Sequence, residues 1–409
     1  MKKSLLILAC LASAAMVSAQ TSLVKDSEQA LKNVSEYPAF LQVVETLKPA
    51  FENPETANSA FTYFVPGKAA FKVYDKYFTK KSLGQPVDDK QMGSVLLDGY
   101  NFFMKALPLD SVADDKGKVK TKHSKEMINT IVGHVNDFDQ AAVGFWQEKE
   151  YAKAYDAWEA CLDITNNPRY AKSDIKPYAD TIQSEIRFNQ ALAAWQANDL
   201  DKAITAFDRA ISLGNNKPET FEYAYSVAYL AKNKDKMREY ANLGFQKFGT
   251  SDPRFLQWTV NSYLEDEKYD EAKKLLADAI AADPAGAAPY YLSSGIVNET
   301  LKDKAAAEAD YRKAIELDSK QAQAYLNLGR VLAEKYDELD QAAGSMSQAE
   351  YNKYAFETLR PILKEAAENF EQSYKINEEM TDALRYLKNI YYVLNDADNL
   401  KRVEDLLKY

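Results

Sequence analysis

The chain has 409 residues, 46% of them hydrophobic and 27% charged, and its formal net charge is −10. This is the composition of a folded domain, and no segment beyond the first twenty residues is apolar enough to span a bilayer. The acidic balance disfavours a phosphate-binding surface, which argues against nucleic acid as a partner, and it equally disfavours attachment to anionic lipid.

The first residues predict a cleaved export signal. Two lysines at positions 2 and 3 precede an apolar stretch that ends at Val17, and the small residues Ser18 and Ala19 follow. We expect cleavage after Ala19 and a periplasmic or extracellular protein. Lipid anchoring at Cys10 is an alternative, but few apolar residues precede that cysteine.

Helices are predicted from residue 37 onward, after a polar lead-in at 21–35. The apolar pattern indicates helices at 37–51, 60–78 and 92–109. Gly84 and Pro86 separate the last two, since neither residue suits a helix interior. The hydrophilic stretch 110–124 is expected to form a surface loop.

One amphipathic pattern then recurs along the chain. It starts near Tyr151, Leu200, Tyr269 and Lys304, and each copy has a small residue, a large apolar residue and a second small residue at helical spacing. The first small positions of four successive units are at 203, 237, 272 and 307, where Met237 is a looser fit, and their intervals are 34, 35 and 35 residues. A fixed period in this range indicates a helical solenoid.

These residues resemble the tetratricopeptide repeat family, whose repeats are antiparallel helix pairs of about 34 residues. The best match starts at Ala288 and has an aromatic residue and a glycine in the first helix, and a small-aromatic-small triplet in the second: Tyr291, Gly295, Ala307, Tyr311 and Ala314. Weaker matches start at residues 135, 184, 218 and 253. The resemblance implies an all-α, right-handed α-solenoid of tetratricopeptide-type helix hairpins.

The pattern divides the chain into six predicted segments. They are a signal peptide at 1–19, a helical lead-in at 20–59, a divergent repeat pair with inserted loops at 60–134, tandem repeats at 135–321, a repeat with a long insertion at 322–380, and capping helices at 381–409. The insertion amounts to about 25 residues between Leu332 and Ala366 by the repeat spacing, and it is expected to be partly helical.

No known catalytic or metal-binding motif is present in the sequence. It contains no glycine-rich phosphate loop, no Gly-x-Ser-x-Gly and no Cys-x-x-Cys. We interpret His123 as a solvated loop residue, His134 as a helix-surface or helix-end residue, and Cys161 as a buried packing residue. The prediction is a non-enzymatic protein without catalytic residues, cofactor or metal. An enzyme that uses carboxylates of the inserted loops is the minor alternative.

The resemblance implies that the first helix of each pair lines a concave groove. The groove-lining positions of the family correspond in this sequence to Trp146, Phe188, Trp195, Tyr229, Asn261, Leu264 and Glu265. We expect them to bind a protein or peptide partner through apolar side chains. One alternative is a glycan or small ligand bound by these aromatics and the inserted loops. Another is that each aromatic packs only against the next repeat. The partner and the oligomeric state are left open.

Overall fold

All the secondary structure in the described part of the protein is helical. The computed structural model describes residues 21–111, 117 and 120–408, and no strand occurs among them. The predicted export signal, including Cys10, lies outside these residues, as do positions 112–116 and 118–119 of the predicted loop. No helix in the described ranges is both long and apolar enough to cross a membrane.

The first of two structural units ends at Asn233. Its described helices are α1 (residues 21–31), α2 (Tyr37–Thr46), α3 (Lys48–Glu52), α4 (Pro54–Ala57), α5 (Ala60–Ser82), α6 (Asp89–Leu109), α7 (Ser124–Gly133), α8 (Val135–Gln147), α9 (Tyr151–Asn166), α10 (Asp180–Gln196), α11 (Leu200–Ser212) and α12 (Pro218–Leu230). Hairpins form from α5 and α6, α8 and α9, and α10 and α11. Successive hairpins pack through α6 on α8 and α9 on α10, which gives this unit the stacked arrangement of an α-solenoid.

The second unit begins at Lys234. Its described helices are α13 (Lys234–Phe248), α14 (Pro253–Glu265), α15 (Tyr269–Ala282), α16 (Ala288–Thr300), α17 (Lys304–Leu317), α18 (Ala322–Ala342), α19 (Gln348–Tyr354), α20 (Arg360–Ile376), α21 (Thr381–Leu394) and α22 (Ala397–Leu406). Here the hairpins are α14 with α15, α16 with α17, α18 with α20 and α21 with α22, and each packs on the next. The chain is therefore all-α, and both units are built from stacked helix hairpins.

Two early elements differ from the sequence prediction. Residues 21–31, expected to be a polar lead-in, are helical, and Val24 and Leu31 of this helix are buried. Their spacing of seven residues places both on one helix face, which the surrounding polar residues obscure in the sequence. The helix predicted at 37–51 is divided at Leu47, because Pro49 cannot donate a backbone hydrogen bond inside a continuous helix.

Small residues lie where the helices of a hairpin approach most closely, as predicted. Ala272, Ala307 and Ala314 are buried. At Gly295 of α16, an added Cβ atom would lie 2.6 Å from Cδ1 and 2.9 Å from Cζ of Tyr311 on α17. Close packing of a glycine against a fully buried aromatic ring therefore sets the distance between the two helices.

Left-handed backbone conformation marks the turn inside many of the hairpins. Non-glycine residues with φ between 55° and 62° occur at Lys149, Asn198, Lys232, Glu267, Lys302 and Asn395. After Lys302, the N–H of Asp303 donates to the carbonyl of Asn298 at 2.9 Å, and this bond closes the first helix of its hairpin. The positions from 198 to 302 follow one another at 34, 35 and 35 residues, so the backbone repeats with the same period as the sequence pattern.

The long insertion extends one hairpin rather than forming a separate loop. Helix α18 has 21 residues, whereas α14 and α16 have 13 each. On the returning arm, α19 continues through a π-helical turn at Ala355–Leu359 into α20. The insertion is helical over most of its length, which extends the prediction that it is partly helical.

Candidate functional site

Four of the seven predicted site residues lie in the first unit, on three of its helices. Trp146 is on α8, Phe188 and Trp195 are on α10, and Tyr229 is on α12. The first three are half-buried, whereas Tyr229 is 64% exposed. Half-burial means that part of each of these three rings packs within the unit and part faces solvent.

Trp146 borders an open apolar pocket of about 180 Å³, which we call the Trp146 pocket. It lies between α8, α9 and α10, and its lining residues are Val143, Trp146, Trp158, Asn189 and Leu192. A cavity of about 150 Å³ with apolar walls accommodates a benzene-sized group. The pocket is therefore large enough for one leucine or phenylalanine side chain.

The walls of the pocket are held in place by contacts with neighbouring helices. The buried Trp158 on α9 donates its Nε1–H to Asp139 Oδ1 on α8 at 3.0 Å. The ring of Trp146 packs edge-on against Tyr151, with centroids 5.1 Å apart. Since both indole rings have fixed partners, the pocket is formed before any ligand arrives, which reduces the entropy lost on binding.

A second aromatic cluster lies one hairpin further along, between α10 and α12. Phe188 stacks on Tyr223 at 6.3 Å between centroids, and Trp195 packs on the same tyrosine at 5.9 Å. Lys217 Nζ lies 6.0 Å from the centroid of the Phe188 ring. Tyr223 thus joins two of the predicted residues, and much of their aromatic surface is used in packing within the unit.

The three remaining predicted residues are in the second unit, on α14. Asn261 is exposed, and Leu264 packs against the apolar core of its unit. The Glu265 carboxylate accepts a hydrogen bond from Lys234 Nζ at 3.0 Å. These residues carry one amide and one carboxylate on the surface.

The buried thiol of Cys161 is unsuited to catalysis. Cys161 has no exposed surface, and its Sγ lies 3.7 Å from the hydroxyl of Tyr178. Burial raises the pKa of this thiol to about 11, so the nucleophilic thiolate is scarce at neutral pH. Within the described ranges, no group of three or more histidine, cysteine, aspartate or glutamate residues could hold a metal ion.

His123 lies just before α7, outside the helix as predicted, but it is half-buried rather than fully solvated. Its ring stacks on Phe64 with centroids 4.0 Å apart, and burial lowers the pKa of the imidazole. His134 lies at the junction of α7 and α8, a helix end as predicted, where its Nδ1 is 2.7 Å from Asp137 Oδ2. Burial against aromatic rings follows from helix packing, which the local polar sequence around His123 does not indicate.

Most of the residues that line the Trp146 pocket were not predicted from the sequence. Val143 stands three residues before Trp146, and Asn189 stands three residues before Leu192, so each pair shares one face of its helix. From that spacing, Val143 could have been assigned to the same helix face as Trp146, and Asn189 to the same helix face as Leu192. Only the packing of the two helices shows that the faces meet over Trp158.

Comparison with known proteins identifies the repeat. The sequence profile of the tetratricopeptide repeat family matches residues 184–216 and 288–321. The chain contains tetratricopeptide repeats. The first matched repeat is formed by α10 and α11 and includes Phe188 and Trp195, and the second is formed by α16 and α17. None of the curated protein sequences compared is significantly similar to this one.

Several solved structures are similar to the chain at low sequence identity. Pseudomonas aeruginosa PilF is 14% identical, with 56% of this chain and 93% of PilF covered and a TM-score of 0.39. The C-terminal part of a tetratricopeptide repeat-containing protein from Cytophaga hutchinsonii is 14% identical, covers 65% of this chain and 93% of its own length, and has a TM-score of 0.38. MamA from Desulfovibrio magneticus RS-1 is 15% identical, with coverages of 48% and 97% and a TM-score of 0.33. Because these scores are below 0.5, the assignment of tetratricopeptide repeats rests on the helices of this chain and on the two matched stretches.

Proposed function

We propose that this protein is a binding scaffold that captures a segment of a partner protein by placing an apolar side chain in the Trp146 pocket. Tetratricopeptide repeats serve in general as protein-interaction modules rather than catalysts. The observation that supports this site most strongly is the preformed apolar pocket between α8, α9 and α10. Its lining contains Trp146, which the repeat register predicted, together with residues such as Trp158 and Leu192 that helix packing brings next to it.

The lining favours a hydrocarbon side chain over a sugar. Asn189 is the one amide among the five lining residues, and the indole N–H of Trp158 is already bonded to Asp139. A sugar ring needs several hydrogen-bond partners for its hydroxyl groups, because polar groups that lose water without replacement weaken binding. A leucine-like or phenyl side chain needs none.

The test uses random peptides displayed on phage and selected on the chain from residue 20 to residue 409. We expect the selected peptides to share a large apolar residue, and we expect Trp146→Ala to weaken their binding by about tenfold or more, as for a buried hot-spot contact. Val143→Arg should act similarly, because Val143 is 44% exposed at the pocket rim and a charge there obstructs entry without removing a core residue.

Ile182→Ala is the matched control, since Ile182 is an exposed apolar residue of α10 outside the pocket. Binding that survives both pocket substitutions, or that falls equally in the control, contradicts the proposed site. A parallel titration with polysaccharides, followed by tryptophan fluorescence, tests the glycan alternative. Quenching by a sugar that Val143→Arg abolishes would replace the peptide by a glycan as ligand.

We further propose that the protein works outside the cytoplasm. The support is the N-terminal pattern of two lysines, an apolar stretch and small residues at 18 and 19. Mass spectrometry of the protein from its native cells should give a mature chain that begins at Gln20. A chain that begins at a lipid-modified Cys10 would support the anchored alternative, and an uncleaved N-terminus would contradict export by either route.

A further inference from the structure

The extended hairpin of the second unit projects beyond the repeats beside it. At a rise of 1.5 Å per residue, α18 is about 12 Å longer than α14 or α16. Helix α21, on the other side of the hairpin, has 14 residues and ends at Leu394. Residues 336–359 therefore form a helical overhang, and neither neighbouring hairpin extends alongside its full length.

One side of the hairpin is fixed to α17 by ion pairs. Lys304 Nζ lies 2.8 Å from the carboxylate of Glu334 and 2.7 Å from that of Glu338. Lys335 Nζ lies 3.0 Å from Glu308 Oε2. These contacts neutralise the charges on this side and anchor the base of the overhang to the repeat before it.

The opposite side, above the end of α21, carries a groove of about 420 Å³ that is lined mainly by apolar and aromatic residues, which we call the Phe356 groove. Buried Leu359 and Leu363 lie at its base, while Phe356 and Val393 on its walls are 71% and 51% exposed. Two such apolar side chains facing water across a groove are typical of a surface that another chain covers.

The groove is shaped by rigid local structure. The hydroxyl of Tyr351 donates to Asp340 Oδ1 at 2.6 Å, which ties α19 to α18. Phe356 lies in the π-helical turn at Ala355–Leu359, a rare conformation that is frequently found at functional sites. A groove fixed in this way loses little conformational freedom when it binds a partner.

Charge indicates what kind of partner fits. Among the described residues that line the groove, Arg360 is the one charged side chain, and Lys364 follows one helical turn later at its edge. In the described part of the chain neither cation forms an ion pair, although Arg312, Arg330 and Arg402 of the same unit all do. Beyond Lys364 the surface changes sign, because Glu368 and Asp396 border it, whereas the nearby Glu371 pairs with Arg402.

From this arrangement we propose that the Phe356 groove binds an acidic amphipathic segment of a partner protein. Apolar side chains of the segment pack against Phe356, Leu359 and Val393. Its carboxylates lie next to Arg360 and Lys364, where burial beside apolar walls strengthens the ion pairs. This is a second docking surface, in a different unit from the Trp146 pocket.

The experiment selects phage-displayed 16-residue peptides on the chain from 20 to 409, after depletion on the Phe356→Asp variant. We expect the enriched peptides to combine leucine or phenylalanine with at least two aspartates or glutamates. Arg360→Glu should weaken them by about tenfold or more, measured by fluorescence anisotropy, and higher salt should also weaken them. Exchange of the peptide carboxylates for lysines should restore binding to Arg360→Glu.

Controls separate the groove from the fold and from the other site. Phe356 and Arg360 are exposed, so helicity and the urea midpoint should stay unchanged in both variants, and Val393→Asp on the opposite wall should reproduce the loss. Trp146→Ala should leave these peptides bound. The proposal is overturned if no enriched peptide depends on Phe356, or if the enriched peptides are basic. It is also overturned if sedimentation shows a dimer that Phe356→Asp dissociates, because the occupant is then a second copy of this chain.

Discussion

Replacement of Gly295 by alanine tests whether close packing against Tyr311 sets the hairpin geometry. The new Cβ would lie 2.6 Å from Cδ1 of a ring that has no exposed surface. The ring cannot turn aside freely, since its hydroxyl donates to Glu299 Oε2 at 2.8 Å and Arg330 pairs with the same carboxylate. Overpacking costs about 1–3 kcal/mol, and loss of a hydrogen bond to a charged group costs about 1.5–3 kcal/mol.

The gain in helix propensity from glycine to alanine, about 1 kcal/mol, offsets part of this cost. We therefore expect Gly295→Ala to destabilise the second unit by about 1.5–5 kcal/mol, as the balance of those terms. The measurement is urea unfolding followed by circular dichroism and by the fluorescence of Trp258, the one tryptophan of this unit.

Gly144 on α8 provides the matched control, because no atom lies within 4 Å of a Cβ added there. Gly144→Ala should stabilise the protein by up to about 1 kcal/mol through propensity alone. In a double-mutant cycle, Tyr311→Leu should remove most of the cost of Gly295→Ala, because the clash is with the ring. If Gly295→Ala stabilises as much as Gly144→Ala, the packing argument is wrong.

Two further predictions concern turns and caps. Lys302→Gly should raise stability by about 0.5 kcal/mol, since φ is 62° at this exposed residue and glycine adopts such a conformation without steric cost. Lys302→Val should lower stability, because a β-branched residue adopts this conformation poorly. Equal urea midpoints for the wild type and the two variants would refute this prediction. Asp110→Ala should cost about 1 kcal/mol, because its carboxylate accepts the backbone N–H groups of Lys122, His123 and Ser124 at the start of α7. Burial by itself would raise the pKa of Asp110, but the hydrogen bonds from Ser124 and from the backbone outweigh burial and hold the pKa below its ordinary 3.8. The stabilisation is thus present above pH 3.8 and is lost as the pH falls through the lower folded-state pKa. The free energies of unfolding of the wild type and of Asp110→Ala should therefore converge only in strong acid. A difference in these free energies that does not depend on pH would contradict the prediction.

The repeat period and its small residues allowed most of the hairpins to be predicted. Gly295, Ala307 and Ala314 stand at fixed spacing, and that spacing defines which helix faces pack together whatever the remaining residues are. The helix at 21–31 and the division near Pro49 were missed because they lie outside the repeats. There, burial depends on neighbouring helices rather than on a period.

The candidate site was predicted less completely. The register pointed to Trp146, but not to Trp158 and Leu192 opposite it, because a register orders residues on one helix and does not give the distance between helices. The register also selected Phe188 and Trp195, whose contact with Tyr223 uses much of their aromatic surface.

The sequence by itself determined the helical class, the period of 34 to 35 residues and the presence of a long insertion after Tyr336. These properties follow from local spacing, since a helix repeats every 3.6 residues and a hairpin repeats with its own length. Only the tertiary structure showed that the insertion lengthens a hairpin and leaves Phe356 beside Val393 and Arg360. Val393 stands more than 30 residues after Phe356 and Arg360 along the chain, and the groove between them exists because the neighbouring helix α21 ends before the overhang does.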